Sequence, residues 1–274
     1  MKLNEQQLRH FDTFGYLVFP GLMKAEIGWM TAAFEEVITN SDSWQGHDGS
    51  KRTMIVPTID HHEQLCTLLD NDRILDIAGA LIGDDFNYAS GDGNFYIGDT
   101  GWHADGNYPE LFAIKVAFYL DPGRRDSGSL RVIPGSHKVD SSWRQGEMKP
   151  RKAAEVWGVP QSDIPGNTAL ETDPGDLVVF DHNLLHASFG GGKRRRMFTM
   201  NLHKKAKTQL ELERVDLYLK HHCPVAHNYK IGHMYTDTML DTAGPQRLVH
   251  LEQLFDRHII VHPDDSKDRP FPGR

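Results

Sequence analysis

Cysteine is scarce in this chain, and long apolar runs and blocks of like charge are missing. Each absence narrows what the protein can be. Among 274 residues only Cys66 and Cys223 are cysteines. They are far apart and form no C-x-x-C pair, which excludes a disulfide framework or a thiolate zinc site as the organising feature. Two unpaired thiols suit a reducing compartment, so cytoplasmic is the default reading. No window approaches the roughly 18 apolar residues of a membrane span. The stretch "MKLNEQQLRHFDTFGYLVF" lacks the apolar core of a secretion signal. The net charge is −8, with 30 basic and 38 acidic residues mixed along the chain. Neither nucleic acid nor a membrane is therefore expected as a partner. The one dense basic run, "KRRR" at 193–196, is too short to reverse that balance. No repeat, low-complexity tract or Pro/Ser-rich linker interrupts the sequence, and a single domain over residues 1–274 is expected.

What is present divides into three textures. The first, about 1–83, reads as helical. In "NEQQLRHFDTFG", Asn4 can cap a short helix, Leu8 and Phe11 share a face, and Gly15 ends it. "YLVF" follows as a strand. Residues 24–40 and 71–83 carry apolar positions at helical spacing, and Gly83 closes the second. From about 84 to 204 the pattern changes to short runs rich in β-branched and aromatic residues: "NFYIG", "LFAIKVAFYL", "GSLRVIP", "TALET", "DLVVF", "LLHAS" and "RMFTMNL". Turns such as "DPGRRDSG", "PGSH" and "GGGK" separate them. Strands of this kind indicate a sandwich or barrel, a class that includes jelly rolls. The third part, about 205–274, begins with the helical pattern "TQLELERVDLYLKHH" and reads as a helical cover.

The chemistry centres on "DTGWHADGNYPE" (99–110). Side chains at i and i+2 of an extended segment point to one face, so His103 and Asp105 can reach a common point. Imidazole and carboxylate both suit a borderline divalent metal. By itself His-x-Asp is a weak signal, because such tripeptides are commonly solvated turns. The segment "DPGDLVVFDHNLLHASFGGGKRRRMFTMNL" (173–202) adds His186 on a distant apolar strand. Two histidines and one carboxylate on one face of an octahedron, with open positions opposite, are typical of non-haem Fe(II) oxygenases. An arginine on the next strand can hold the far carboxylate of a chelating oxo-acid bidentately, and Ser188 can donate a hydroxyl to the same group.

With these motifs assembled, the sequence resembles the phytanoyl-CoA dioxygenase-like (PhyH) branch of the Fe(II)/2-oxoglutarate-dependent oxygenases over nearly its whole length. "LRHFDTFGYLVFPGLM" is similar to that family's first helix and strand, and "ILDIAGALIG" to its next helix. "GWHADG" stands at its Trp-His-x-Asp loop. "DSGSLRVIPGSHK" is similar to its turn before PGSH, with Ser127 where asparagine is usual. "PGDLVVFDHNLLHAS" and "RRMFTMNL" match its closing motifs. The resemblance implies a mainly β fold with flanking helices, built on a double-stranded β-helix (jelly roll, cupin-like) core.

The same resemblance implies Fe(II), 2-oxoglutarate and O2 as cofactor and co-substrates. It assigns His103, Asp105 and His186 as metal ligands, and Ser188 and Arg195 as the 2-oxoglutarate contacts. Arg195 is favoured over Arg196 by the residues that follow it. His182 reads as the tip of a turn rather than a ligand. His137 in "PGSH" matches a residue that steadies a turn beside the site, and the pairs His61-His62 and His221-His222 carry no ligand spacing.

The expected activity is hydroxylation of a C–H bond in a small molecule, with succinate and CO2 as co-products. Because related halogenases replace the carboxylate ligand with a small residue, Asp105 disfavours halogenation. Desaturation, cyclisation and epimerisation use the same constellation. Two readings of other classes are a 2-oxoglutarate-independent cupin-type metal enzyme and a catalytically silent sensor. Trp102, Asn107 and Tyr108 flank the metal loop and are candidate substrate contacts. The segment 43–64 lies where the family often supplies substrate-facing residues, with Lys51 or Arg52 placed to meet an anion or to remain solvated.

Overall fold

The computed structural model describes residues 2–106, 110–192, 195–222, 233–265 and 269–273. Helix α1 (Glu5–Phe14) starts at Asn4, whose side chain accepts from the Gln7 amide while the Gln7 side chain accepts from the Asn4 amide. That reciprocal pair satisfies two amide donors at the helix start. Gly15, at φ 85°, ends the helix and turns the chain into β1 (Tyr16–Phe19). Next come α2 (Ile27–Thr39), β2 (Thr53–Ile55), α3 (Glu63–Cys66) and α4 (Asp72–Ile82). The β-rich middle holds β3 (Asn87–Tyr88), β4 (Gly93–Tyr96), β5 (Thr100–His103), β6 (Ala113–Tyr119) and β7 (Leu130–Val132). After helix α5 (Pro150–Trp157) it continues with β8 (Thr168–Leu170), β9 (Leu177–Asp181), β10 (His186–Ser188) and β11 (Arg195–His203). Helices α6 (Gln209–His222), α7 (Asp237–Asp241) and α8 (Pro245–Val261) follow.

The strands form two antiparallel sheets. The larger runs β1-β9-β6-β11-β4-β2, with β3 also on β11, and the smaller runs β5-β10-β7-β8. Apart from β7 and β8, neighbours in each sheet are non-consecutive strands, which is the crossover pattern of a jelly roll. Strands β1 and β2 both arise in the part that reads as helical, and both join the large sheet. Three residues of "TMI" are too few to show a period, so only their register against β4 makes β2 a strand.

Two-residue alternation sorts the strands between two environments. In β6, Ile114, Val116 and Phe118 face the helices, while Ala117 and Tyr119 face the second sheet. Strand β11 does the same, sending Phe198, Met200 and Leu202 outward to the helices and Met197 inward. Phe118 and Phe198 stack at 4.7 Å between ring centroids, and truncating either to alanine would cost about 3–5 kcal/mol. A strand buried on both faces reads as continuously apolar, so the one lysine in "AIKVAFY" is conspicuous. Lys115 is in step with Ala117 and Tyr119 and points between the sheets. Among the described residues no helix is long and apolar enough to cross a membrane.

Candidate active site

Between the sheets lies a cavity of about 310 Å³, and β5, β10 and β11 bring the chemistry to it. Strands β5 and β10 run antiparallel with His103 and His186 as register partners. Their rings are 4.2 Å apart. Asp105 lies just beyond β5, where its amide and that of Gly106 donate to the His182 carbonyl at 2.8 and 2.7 Å. The loop after β5 is thereby pinned to the turn between β9 and β10. An Asx turn sets that turn in place, with Asp181 Oδ1 accepting from the Asn183 amide at 2.7 Å.

His103, Asp105 and His186 form the metal-capable cluster found among the described residues, with one donor atom from each within 4.8 Å of the others. Asp105 Oδ1 is 3.8 Å from His103 Nε2, and Oδ2 is 3.5 Å from His186 Nε2. Each histidine pairs its Nδ1 with the carbonyl two residues earlier, Gly101 at 2.8 Å and Leu184 at 2.9 Å. A carbonyl can only accept, so Nδ1 carries the proton and Nε2 presents its lone pair toward the carboxylate. Burial pushes the His186 imidazole down to about 4, so it is neutral near pH 7. Three acceptor atoms thus converge, an arrangement that is repulsive alone and attractive around a divalent cation. Facial ligands of an octahedral ion with bonds of about 2.1 Å stand about 3 Å apart, so only a small closure is needed. The donor set fits Fe(II).

Beside this cluster sits a residue that motif reading missed. Lys115 Nζ is 2.8 Å from Asp105 Oδ2 and 3.8 Å from Asp92 Oδ1. Burial alone would raise the Asp105 carboxyl, but Lys115, followed by His186 and His182, holds it far below the usual carboxylate range. Burial likewise favours a neutral Lys115, and Asp105 and Asp92 more than offset it, so the ammonium stays charged. The signal was visible as a lone lysine inside an apolar strand.

The other end of the cavity is cationic. Arg195 is 5% exposed and its guanidinium lies 4.6 Å from the Tyr96 ring centroid. It donates to Ser188 Oγ and to the Gly128 carbonyl, and Ser188 Oγ itself donates to that carbonyl at 3.0 Å. Gly128 has φ +87°, and a Cβ there would stand 2.1 Å from Arg195 Nη1. Arg196, one residue on, faces the other way. It pairs with Asp121 at 2.5 Å and Glu35 at 2.5 Å on the helix side of the sheet. Lys193 and Arg194, the rest of the basic run, lie outside the described residues.

Several other expectations can be placed. His182 occupies the turn as expected, but it is buried at 5% exposure. Its ring packs edge-on against His203 and is not one of the three residues of the cluster. His137 Nε2 meets the Asp12 carbonyl at 3.1 Å and ties the PGSH turn to α1. The Trp102 indole donates to the Gln161 carbonyl at 2.8 Å. It is not among the cavity-lining side chains, whereas its β5 neighbours Thr100 and His103 are. The indole of this candidate substrate contact is thus held by the turn at Gln161. Asn107 and Tyr108 lie outside the described residues. His222, from a pair with no ligand spacing, lines the cavity together with Tyr218 of α6. So does Arg52, which β2 carries to the cavity edge. Arg52 was one of the two basic residues expected either to meet an anion or to stay solvated, whereas no local spacing betrayed His222, which α6 brings there.

Comparison with known proteins gives this geometry its context. Ectoine dioxygenase of Sphingopyxis alaskensis is 24% identical over 218 residues, covering 69% of this chain and 71% of the relative. Two solved structures share the fold. One is the non-haem alpha-ketoglutarate-dependent carbocyclase SnoK from nogalamycin biosynthesis, at 22% identity and a TM-score of 0.58, covering 74% of this chain and 85% of that one. The other is the epimerase SnoN of the same pathway, at 16% identity and a TM-score of 0.57, covering 74% and 82%. The sequence model of phytanoyl-CoA dioxygenase (PhyH) matches residues 11–197. That span runs from α1 into β11 and takes in both histidines, the aspartate, the serine and the buried arginine, and the chain belongs to the phytanoyl-CoA dioxygenase (PhyH) family.

Proposed function

We propose that this Fe(II)- and 2-oxoglutarate-dependent oxygenase hydroxylates a C–H bond of a small molecule, with succinate and CO2 as co-products. In this reading residues 1–274 act as one domain in a reducing compartment such as the cytoplasm, and the buried thiol of Cys66 suits that setting. The observation that carries the reading is the convergence of His103, Asp105 and His186 at one end of a cavity whose other end holds Arg195 and Ser188.

His103 Nε2, one Asp105 oxygen and His186 Nε2 would hold the metal, and their Nδ1–carbonyl pairs fix both rings in the ligating tautomer. Lys115 holds the second role of the Asp105 carboxylate, keeping it ionised and oriented. Arg195 would bind the far carboxylate of 2-oxoglutarate, with the Ser188 hydroxyl beside it, and Tyr96 supports the guanidinium from its ring face. Once bound, the metal and 2-oxoglutarate supply O2 activation with loss of CO2, and one oxygen atom goes to the substrate. The protein's part is to bind, orient and exclude water around that step. Asp105 fills the position that halogenases leave to chloride.

A second outcome, cyclisation or epimerisation by the same iron chemistry, is favoured by the shared fold of the carbocyclase and the epimerase. The test is succinate release from 2-oxoglutarate by protein loaded anaerobically with Fe(II) and then given O2, with a labelled-oxygen assay of the product. Succinate with incorporated oxygen supports hydroxylation. Succinate with an unoxygenated product supports the second outcome, and normal succinate release by Asp105→Ala would sink the metal assignment.

A further inference from the structure

Arg52 stands at the rim of the cavity on the edge of the large sheet. It is two residues before Met54 of β2, and both side chains line the same space. Its guanidinium lies 4.3 Å from the centroid of the Tyr96 ring, the same ring that Arg195 uses. Its Nε donates to Asn94 Oδ1 at 2.6 Å, which fixes the plane of the fork. One terminal nitrogen is 3.3 Å from Met54 Sδ and 3.6 Å from Asp92 Oδ2. Among the described residues the other terminal nitrogen, Nη1, makes no hydrogen bond.

Asp92 neutralises this guanidinium only in part, because its carboxylate is shared with other partners. It accepts from Thr199 Oγ1 at 2.7 Å and from Asn94 Nδ2, and Lys115 lies 3.8 Å away. Counting the ionised side chains that line the cavity gives three cations, Arg52, Lys115 and Arg195, and two anions, Asp92 and Asp105. Burial raises the tyrosine hydroxyls Tyr96 and Tyr119, which stay neutral. A divalent metal and a 2-oxoglutarate dianion cancel one another, so the loaded cavity retains one positive charge. Lys115 is taken by Asp105, and Arg195 lies deep beside Ser188. Of the three cations, Arg52 is the one open to an incoming molecule, with its side chain 37% exposed against 13% for Lys115.

We propose that Arg52 binds an anionic oxyacid group, a carboxylate or its like, on the substrate, so that the substrate is a small organic acid held by its anion at the rim with the reacting C–H toward the metal. This rests on the oxygenase reading above. The preformed, stacked fork suits a carboxylate, which can take two parallel hydrogen bonds from it. The cavity is at the lower end of the ~300–1,000 Å³ range of small-molecule sites and must also take 2-oxoglutarate. That limits the acid to a compact one.

The test pairs a panel of small carboxylic acids with their own primary amides. Each is titrated by calorimetry into protein carrying Ni(II) and 2-oxoglutarate, which is inert to O2, and is then assayed for stimulated succinate release with Fe(II). Acids should bind at least tenfold more tightly than their amides. Arg52→Gln should remove that preference and Arg52→Lys should keep part of it, with thermal melting checking that both variants are folded. Equal binding of acids and amides, or no response to any acid by an enzyme that does form succinate, overturns the proposal. So does an Arg52→Gln protein that loses 2-oxoglutarate as severely as it loses the acids. If wild-type protein forms no succinate above a His103→Ala blank, the oxygenase reading fails instead.

Discussion

His103 and His186 face one another across a single rung of the small sheet. Strands β5 and β10 are antiparallel and pair these two residues in register, so backbone hydrogen bonds, rather than loop conformation, set the separation of the two imidazoles. Such a pair is held before any metal arrives, and only Asp105 is supplied by a loop. Replacing His103, Asp105 or His186 by alanine should each weaken Ni(II) or Fe(II) binding by at least ~100-fold, the upper range seen even for residues one step removed from a metal. Calorimetric titration checks this. His182→Ala should keep metal binding, since its backbone carbonyl, not its ring, positions Asp105.

Neighbouring arginines on β11 should separate cleanly. Arg195→Lys loses the planar fork and should raise the 2-oxoglutarate requirement at least ~10-fold, roughly the 1.4 kcal/mol of one lost charge-assisted bond. Gly128→Ala should act in the same direction, because the new methyl would displace the guanidinium. Arg196→Ala should instead lower stability by about 1–3 kcal/mol, by removing the guanidinium that Asp121 and Glu35 share. Co-substrate titrations beside urea unfolding of the same variants tell the two effects apart.

Lys115→Met keeps the volume of the side chain and removes its charge, which leaves Asp105 and Asp92 as neighbouring carboxylates. Loss of one partner from a buried ion pair should cost about 3 kcal/mol in denaturant unfolding. A divalent cation supplies a substitute for the ammonium, so Ni(II) should raise the melting temperature of this variant by more than it raises that of the wild type. Equal shifts would mean that Lys115 does not share the Asp105 carboxylate with the metal.

Acid should unfold the protein early. Burial lowers His258 to about 4 and His203 well below its usual value. The unfolded chain therefore binds more protons than the folded one below about pH 6.5, and stability falls as the pH drops from there toward 4. For His258 the loss at pH 5 amounts to about 2 kcal/mol, from a shift between about 6.5 and about 4. Urea unfolding at pH 7 and pH 5 measures the sum. His258→Gln should reduce the difference, and an unchanged difference would show that this histidine does not carry it.

Much of the site was readable because its parts follow local rules. The i, i+2 spacing of His103 and Asp105, the HAS sequence of β10 and the arginine heading β11 are all consequences of a two-residue strand period. So is the division of labour between Arg195 and Arg196. Lys115, Arg52 and His222 were not readable as a group. They come from β6, from the edge of β2 and from the end of α6, and no spacing links positions 52, 115 and 222.

By itself, then, the sequence determined the longer strands and their inward faces, the first helix with its Asn4 cap and Gly15 stop, and the residue types able to hold a metal. Short-range sterics and backbone hydrogen bonding suffice for those. Only the tertiary structure decided which side chains share the cavity and what charge remains there. Sheet pairing placed β2 against β4, helix packing brought Tyr218 and His222 of α6 to the cavity, and the Trp102 indole went to Gln161. Coulomb energies in a buried space depend on distances of a few ångströms between residues far apart in the chain, and folding alone fixes those distances.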